Sequence, residues 1–236
     1  MPDVRGDGGA GGRERTTVAH VLSVNIGRAR PNPAKGLGVT GIDKRPSDAP
    51  VEVRAPSTRR DDAGSGLVGD FIGDRANHGG DDQAVYAYGR EDLDTWAAEL
   101  GRELSNGSFG ENLTTAGVDV TAAVIGERWR VGPEVVLEVS CPRIPCATFA
   151  SWLNERGWVR TFTERAVPGA YLRVVKPGWI RSGDEITVLS RPDHEVTIGL
   201  TFRALTLQPE LLPLLLPAGD ALPQETRDRI HRRTRR

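Results

Sequence analysis

The sequence predicts a mostly β fold with inserted helices, followed by a short helical segment. Three observations predict this class. Many short runs of alternating apolar and polar residues are divided by glycine and proline, which is typical of a barrel or a sandwich. One stretch has a clear helical period, and the alternation stops at about residue 196. The 236 residues suffice for one sizeable core or two small ones.

The predicted strands are short and closely spaced. The clearest alternation is in residues 49–56, where Val51 and Val53 fall on one face. The first run alternates only in part but still favours a strand. Glycine and proline separate most of the others. The predicted strands cover 18–26, 49–56, 83–89, 127–132, 134–140, 170–175 and 184–190.

Two segments predict the inserted helices. Residues 91–100 carry apolar side chains at helical spacing, and Gly101 could end that helix. Its inward positions are Leu93, Trp96, Ala97 and Leu100. Residues 147–166 predict one or two helices, and the side chains expected to face inward are Trp152, Leu153, Val159 and Phe162.

The pattern divides the chain into three parts. Residues 1–17 are glycine-rich with mixed charge, and they predict a disordered tail. Residues 18–199 predict the β domain. Residues 200–236 predict a helical segment that ends in a basic tail. Prolines interrupt this segment, so several short helices are expected in place of one long helix.

Composition excludes several classes of function. Lys and Arg number 31 against 32 Asp and Glu, so no global field attracts nucleic acid or a membrane. No apolar run has the length needed to span a bilayer, and the N-terminus lacks the apolar stretch of a secretory signal. We therefore expect a cytoplasmic protein whose thiols stay reduced.

Both cysteines lie in one stretch, VSCPRIPCATF at 139–149. Cys141 and Cys146 could form a disulfide, offer a zinc ligand pair, or supply a nucleophile or one soft metal ligand. A reducing compartment disfavours the disulfide. Zinc is also disfavoured, because the spacing is C-x4-C and no second cysteine pair exists.

The surroundings of the two thiols differ. Pro142 and Pro145 keep the backbone extended, and a helical pattern begins at about Cys146. A cysteine at a helix start near Arg143 experiences positive potential, which favours the thiolate. Cys146 is therefore the reactive candidate, as a nucleophile or as a soft metal ligand. Cys141, at the strand end, is interpreted as a packing residue.

Other candidates are weaker when taken alone. Lys44 and Arg45 could clamp a phosphate or could be a solvated charge pair. His78 could meet an oxyanion or phosphate, or could cap a loop, while Gly79 beside it allows a ligand close to the backbone. Asn112 offers a donor and an acceptor, although a turn would explain it equally well.

Five motifs taken together resemble the MOSC family, the domains related to the C-terminal part of molybdenum cofactor sulfurases. Their order and spacing are similar to the stand-alone bacterial branch, and the resemblance extends from about residue 20 to 200. The motifs are HGGDDQAVYAY at 78–88, FGENLTT at 109–115, IGERWRVG at 125–132, VSCPRIPC at 139–146 and GAYLRVVKPGWIRSGDEI at 169–186.

The resemblance implies a MOSC-type β-barrel that binds the molybdenum cofactor, molybdopterin. Cys146 would be the catalytic residue and the metal ligand. The cofactor-binding set that the resemblance implies is Lys44, His78, Gly79, Asn112, Ser140, Arg143 and Cys146. Pyridoxal phosphate is not expected in this domain.

The activity implied by the resemblance is the reduction of N-hydroxylated compounds, such as hydroxylaminopurine-like bases and amidoximes. Two cysteines cannot ligate a usual iron–sulfur cluster. Electrons would therefore come from an external electron-transfer protein, a flavin or iron–sulfur reductase. A homodimer is possible. The alternatives are a non-catalytic carrier of the cofactor or of sulfur, and a metal-free thiol enzyme built on Cys146.

Overall fold

The computed structural model describes residues 18–35, 38–56, 64–74 and 78–234. The predicted tail at 1–17 lies outside the described residues. Within the described ranges the chain consists mainly of strands with inserted helices until residue 190 and is largely helical from residue 198 onward. The strands are β1 (His20–Gly27), β2 (Arg30–Pro31), β3 (Val39–Thr40), β4 (Lys44–Pro46), β5 (Val51–Val53), β6 (Val85–Gly89), β7 (Leu113–Ala116), β8 (Arg128–Val131), β9 (Val135–Pro142), β10 (Ala170–Lys176), β11 (Gly178–Ile180) and β12 (Ile186–Ser190).

The helices fall into two groups. One group is inserted between strands and the other follows the last strand. Short 3-10 helices cover Pro33–Lys35 and Asp81–Gln83, and a longer one covers Pro209–Ala221. The α-helices are α1 (Arg90–Leu100), α2 (Ala147–Leu153), α3 (Trp158–Arg165), α4 (Ile198–Thr206) and α5 (Gln224–Thr234).

Eight strands form one mixed sheet in the order β12-β8-β9-β10-β6-β7-β1-β4. All neighbours pair antiparallel except β6 and β7, which are parallel. A closed barrel is not confirmed, because no ladder among the described residues joins β12 to β4, the two edge strands of this sheet. The start of β1 nevertheless approaches the turn before β12, through a single bridge between His20 and Glu185 and through backbone hydrogen bonds such as Val21 N–H to Asp184 O at 2.9 Å.

The sheet encloses the larger apolar core. Trp129 and Val131 in β8 are buried while Arg128 and Arg130 are exposed, so the alternation in the sequence marks the inner face. Glu127 satisfies the buried indole of Trp129, whose Nε1 donates to the carboxylate at 2.7 Å. Most strands contribute to this core, which confirms the prediction of a mostly β domain.

An aromatic cluster joins the inserted helices to β6. Phe109, Phe149, Trp158 and Phe162 pack with ring centroids between 5.1 and 6.0 Å apart, and Trp96 of α1 joins them. Edge-to-face geometry suits the ring quadrupoles and adds to the stabilisation from burial. This cluster holds α2 and therefore fixes the residue at its start, Cys146.

One inward residue of α3 was misassigned from sequence. Val159 was expected in the core but is 39% exposed, whereas Trp158 beside it is buried. The segment breaks into two helices after Leu153, with Asn154 in the left-handed conformation as the cap of α2. Because of this break, the apolar positions of α3 do not continue the helical spacing of α2. The spacing in α2 therefore predicts the wrong face of α3 as buried.

The helices after β12 share the larger core. Ile198, Leu212, Leu215 and Ile230 are buried in the same cluster as the strand residues. The expected helical segment is therefore packed against the sheet as part of one core. The prolines at 213 and 217 lie inside a 3-10 helix, and the kink falls at Gly219. Within the described ranges, no helix is both long and apolar enough to cross a membrane.

Candidate functional site

A pocket lies beside the middle of the large sheet, where the ends of β4 and β9 approach the loop at 70–74. Six of the seven residues in the predicted cofactor-binding set line it, although they come from distant parts of the sequence. They are Lys44, His78, Gly79, Asn112, Arg143 and Cys146. Ser140, the seventh, is fully buried in β9 and is not among the lining residues.

Cys146 occupies the position that the sequence indicated. β9 ends at Pro142, and Cys146 is the extended residue immediately before α2. Its thiol is free and half-buried, and that of Cys141 is free and buried. Cys141 faces a different cavity from Cys146, and its Sγ lies 3.7 Å from the carbonyl oxygen of Asp82. A disulfide is therefore absent from this pair, and the two thiols have different surroundings.

Three neighbours lower the pKa of Cys146. Burial by itself raises the pKa of this thiol, because it penalises the thiolate. A hydrogen bond from His78, the positive charge of Arg143 and the backbone N–H of Phe149 outweigh burial, and they bring the pKa to about 6. At neutral pH the sulfur is therefore mainly thiolate, the form that binds metals and attacks electrophiles.

Arg143 is the unsatisfied cation of this pocket. Its side chain stacks over Phe149 at 3.7 Å from the ring centroid and over Tyr86 at 5.5 Å. Only 7% of the residue is exposed, and its buried Nη1 has no hydrogen-bond partner. A buried guanidinium nitrogen without an acceptor is costly, so an anionic ligand in the pocket would satisfy it.

Lys44, unlike Arg143, is paired with a carboxylate in the pocket wall. Its Nζ lies 2.6 Å from Oδ1 of Asp70, and both side chains are nearly buried. Asp70 also accepts from the Gly27 N–H at 2.6 Å and from Nδ2 of Asn112 at 2.9 Å. The positive charge of Lys44 is thus neutralised inside the pocket wall, which leaves Arg143 as the stronger attraction for an anion.

Asn112 connects this network to the sheet. Its Oδ1 accepts from the Tyr86 N–H at 3.1 Å, while its own N–H donates to the Tyr86 carbonyl oxygen at 2.7 Å. The side-chain Nδ2 donates to Asp70 and to the carbonyl oxygen of Asn25. Asn112 therefore lines the pocket while its side-chain amide orders Asp70.

Gly79 forms the backbone wall next to His78. Gly79 and Gly80 have φ of 85° and 81°, a conformation that disfavours any residue with a β-carbon. The sequence signal of two adjacent glycines therefore reflects backbone conformation, and it also leaves this side of the pocket without a side chain.

Sequence reasoning missed most of the other lining residues, and four of them bear on the chemistry of the pocket. Asp70 lies in a loop, Gln83 ends a short 3-10 helix, and Tyr86 and Tyr171 lie on neighbouring strands β6 and β10. The strand pattern could have placed the two tyrosines opposite each other, but only if the pairing of β6 with β10 were known. Asp70 carried no signal, because its partners Lys44 and Asn112 are distant in sequence.

These residues fit an anionic group that carries a soft metal. The pocket offers one thiolate of low pKa, one histidine and one buried cation with an unused donor. A soft thiolate is a suitable ligand for such a metal. Across the described parts of the chain, no three His, Cys, Asp or Glu side chains cluster as a metal site. The candidate protein ligand is the Cys146 thiolate.

Comparisons with known proteins find a matching family and several relatives. A family model described as the MOSC domain matches residues 74–187. The uncharacterized protein YflK of Bacillus subtilis (strain 168) is 34% identical over 179 residues, which are 75% of this chain and 76% of that protein. A protein named Reductase from Gibberella moniliformis is 34% identical over 177 residues, which cover 73% of this chain but only 29% of that longer protein.

A solved structure shares the fold. The crystal structure of YiiM from Geobacillus stearothermophilus superposes with a TM-score of 0.72 at 23% sequence identity. The superposition covers 91% of this chain and 98% of that chain.

Proposed function

Since this chain belongs to the MOSC domain family, we propose that it binds the molybdenum cofactor and reduces N-hydroxylated compounds. Hydroxylaminopurine-like bases and amidoximes are the proposed substrates. One observation supports this most strongly: Cys146, with a pKa of about 6, faces the same pocket as the buried Nη1 of Arg143, which has no partner. The fungal relative named Reductase agrees with an oxidoreductase role.

We propose a part for each of the main pocket residues. Cys146 would be the protein ligand to molybdenum, because a thiolate suits a soft metal. Arg143 would bind the anionic part of the cofactor through its unused donor. When bound, the cofactor supplies the two-electron chemistry that reduces an N–O bond.

The remaining residues orient these groups. His78 hydrogen-bonds to the Cys146 sulfur and so keeps that sulfur deprotonated at neutral pH. Gly79 leaves room for a ligand next to the backbone, and the Lys44–Asp70 pair stiffens another part of the pocket wall. Tyr86 and Phe149 provide ring faces over Arg143.

Electrons would come from a separate protein. The chain has only two cysteines, too few to hold a usual iron–sulfur cluster. We propose that a flavin or iron–sulfur reductase supplies them.

The test is turnover of benzamidoxime by protein made in a cofactor-competent host, with a chemically reduced viologen dye as electron donor. We expect molybdenum and pterin to copurify with the wild type, and the dye to be oxidised only when substrate is added. Cys146→Ser should lose turnover, because serine is a harder and much less acidic donor. The matched control is Cys141→Ser, which should keep most activity because Cys141 faces another cavity.

Other outcomes would identify other functions. Bound cofactor without turnover would favour a carrier of the cofactor or of sulfur. Activity in metal-free protein would favour a thiol enzyme that uses the Cys146–His78 pair. Equal loss of molybdenum from both serine variants would contradict the assignment of Cys146 as the single ligand.

A further inference from the structure

Gln83 lines the pocket and carries a buried hydrogen-bonding atom that is not used. Its Oε1 is buried and has no hydrogen-bond partner. Of the buried side-chain atoms found without a partner in the described residues, only this one and Nη1 of Arg143 belong to residues that line the pocket with Cys146. A buried acceptor without a donor is unfavourable, so a ligand N–H at this place would gain a hydrogen bond without displacing another.

The turn that carries Gln83 is firmly held. Gln83 ends the short 3-10 helix after Gly80, and its N–H donates to the Gly80 carbonyl oxygen at 3.0 Å. Beside it, the Asp82 carboxylate lies 2.6 Å from Nη2 of Arg173, and the Asp82 carbonyl oxygen faces Sγ of Cys141 at 3.7 Å. These contacts fix the backbone of the turn to β9 and β10, so the position from which the Gln83 side chain extends is set before a ligand arrives.

The two unsatisfied groups of the pocket select different chemistry. Arg143 carries a positive charge and suits an anion. Gln83 is neutral and offers an acceptor and a donor on one planar group, whichever way round the amide is oriented. The complement of a carboxamide is an amino N–H next to a nitrogen acceptor, as in the edge of adenine.

We propose that Gln83 determines specificity by binding the N–C–N edge of the substrate, the amino N–H together with the neighbouring nitrogen acceptor. This inference builds on the proposed function, since it selects among N-hydroxylated compounds those derived from aminopurines or amidines. Gln83 and Gly79 also form the wall between this pocket and a second cavity.

The test is a binding measurement that needs no turnover. Adenine and purine differ only in the amino group, and calorimetric titration gives the Kd of each for wild type, Gln83→Leu and Gln83→Glu. We expect the wild type to bind adenine about tenfold more tightly than purine, a factor that corresponds to about 1.4 kcal/mol. Gln83→Leu should abolish this preference. Gln83→Glu should retain part of it, because glutamate keeps the acceptor.

The control is Gln224→Leu, which removes an exposed glutamine that lines only the second cavity and should leave the preference unchanged. Absence of adenine binding in the wild type, or an unchanged preference in Gln83→Leu, would overturn the inference. The experiments distinguish a failure of this inference from a failure of the proposed function. Adenine selection without turnover would reject only the reductase, and turnover with selection independent of Gln83 would reject only this inference.

Discussion

The ammonium group of Lys44 lies 2.6 Å from the carboxylate of Asp70, with 9% and 1% of the two side chains exposed. This buried pair occupies the wall of the pocket that also contains Cys146. Lys44 therefore contributes little net charge to the cavity, and the pocket's attraction for an anion depends mainly on Arg143. The pair stiffens the wall because Asp70 also accepts hydrogen bonds from Gly27 and Asn112.

We expect Asp70→Asn to destabilise the protein by about 3 kcal/mol, because it leaves the Lys44 charge buried without its partner. Chemical denaturation followed by circular dichroism measures the change. The control is Glu164→Gln, which breaks the exposed pair with Arg160 and should change the free energy of unfolding by less than about 0.5 kcal/mol. Equal tolerance of the two substitutions would contradict a stabilising role for the Lys44–Asp70 pair.

The alkylation rate of Cys146 should depend on pH with a midpoint of about 6. The thiolate is the reactive form, so the rate should fall as pH drops below this value and level off above it. Iodoacetamide labelling in a Cys141→Ser background, followed by intact mass, measures Cys146 alone. A midpoint near the ordinary cysteine value of about 8.5 would show that the neighbours do not stabilise the thiolate.

Removing either stabilising neighbour should raise this midpoint. His78→Ala removes the hydrogen bond, which lowers the pKa of Cys146 more than the charge of Arg143 does. We therefore expect a larger upward shift for His78→Ala than for Arg143→Gln, measured by the same labelling. The reverse order would mean that charge dominates over hydrogen bonding at this sulfur.

Truncating a buried side chain and an exposed side chain of α3 should change the free energy of unfolding by different amounts. Phe162 is fully buried in the aromatic cluster, so Phe162→Ala should cost about 3–5 kcal/mol of unfolding free energy. Val159 is 39% exposed, and Val159→Ala should cost less than about 1 kcal/mol. Thermal and chemical denaturation of both variants check this. Comparable losses of unfolding free energy in the two variants would mean that Val159 packs in the core.

The sequence by itself determined the elements that carry their own signal. Alternation identified β8 and β9, and helical spacing identified α1 with its end at Gly101, whose φ is 63°. The stretch around Cys146 also predicted an extended approach and a helix start, since Pro142 and Pro145 restrict the local backbone. Local conformation depends on neighbouring residues, and so a sequence can reveal it.

Only the tertiary structure decided which residues meet. β7 was expected to be a loop, yet it is a strand because β6 and β1 provide hydrogen-bonding partners on both sides. The sequence allows Lys44 to be a phosphate clamp or part of a solvated charge pair, whereas the structure pairs it with Asp70, 26 residues away in sequence. Likewise, the unused acceptor of Gln83 is visible only when burial and partners are known. Charge compensation and hydrogen-bond satisfaction depend on distances across the fold, and spacing along the chain does not encode them.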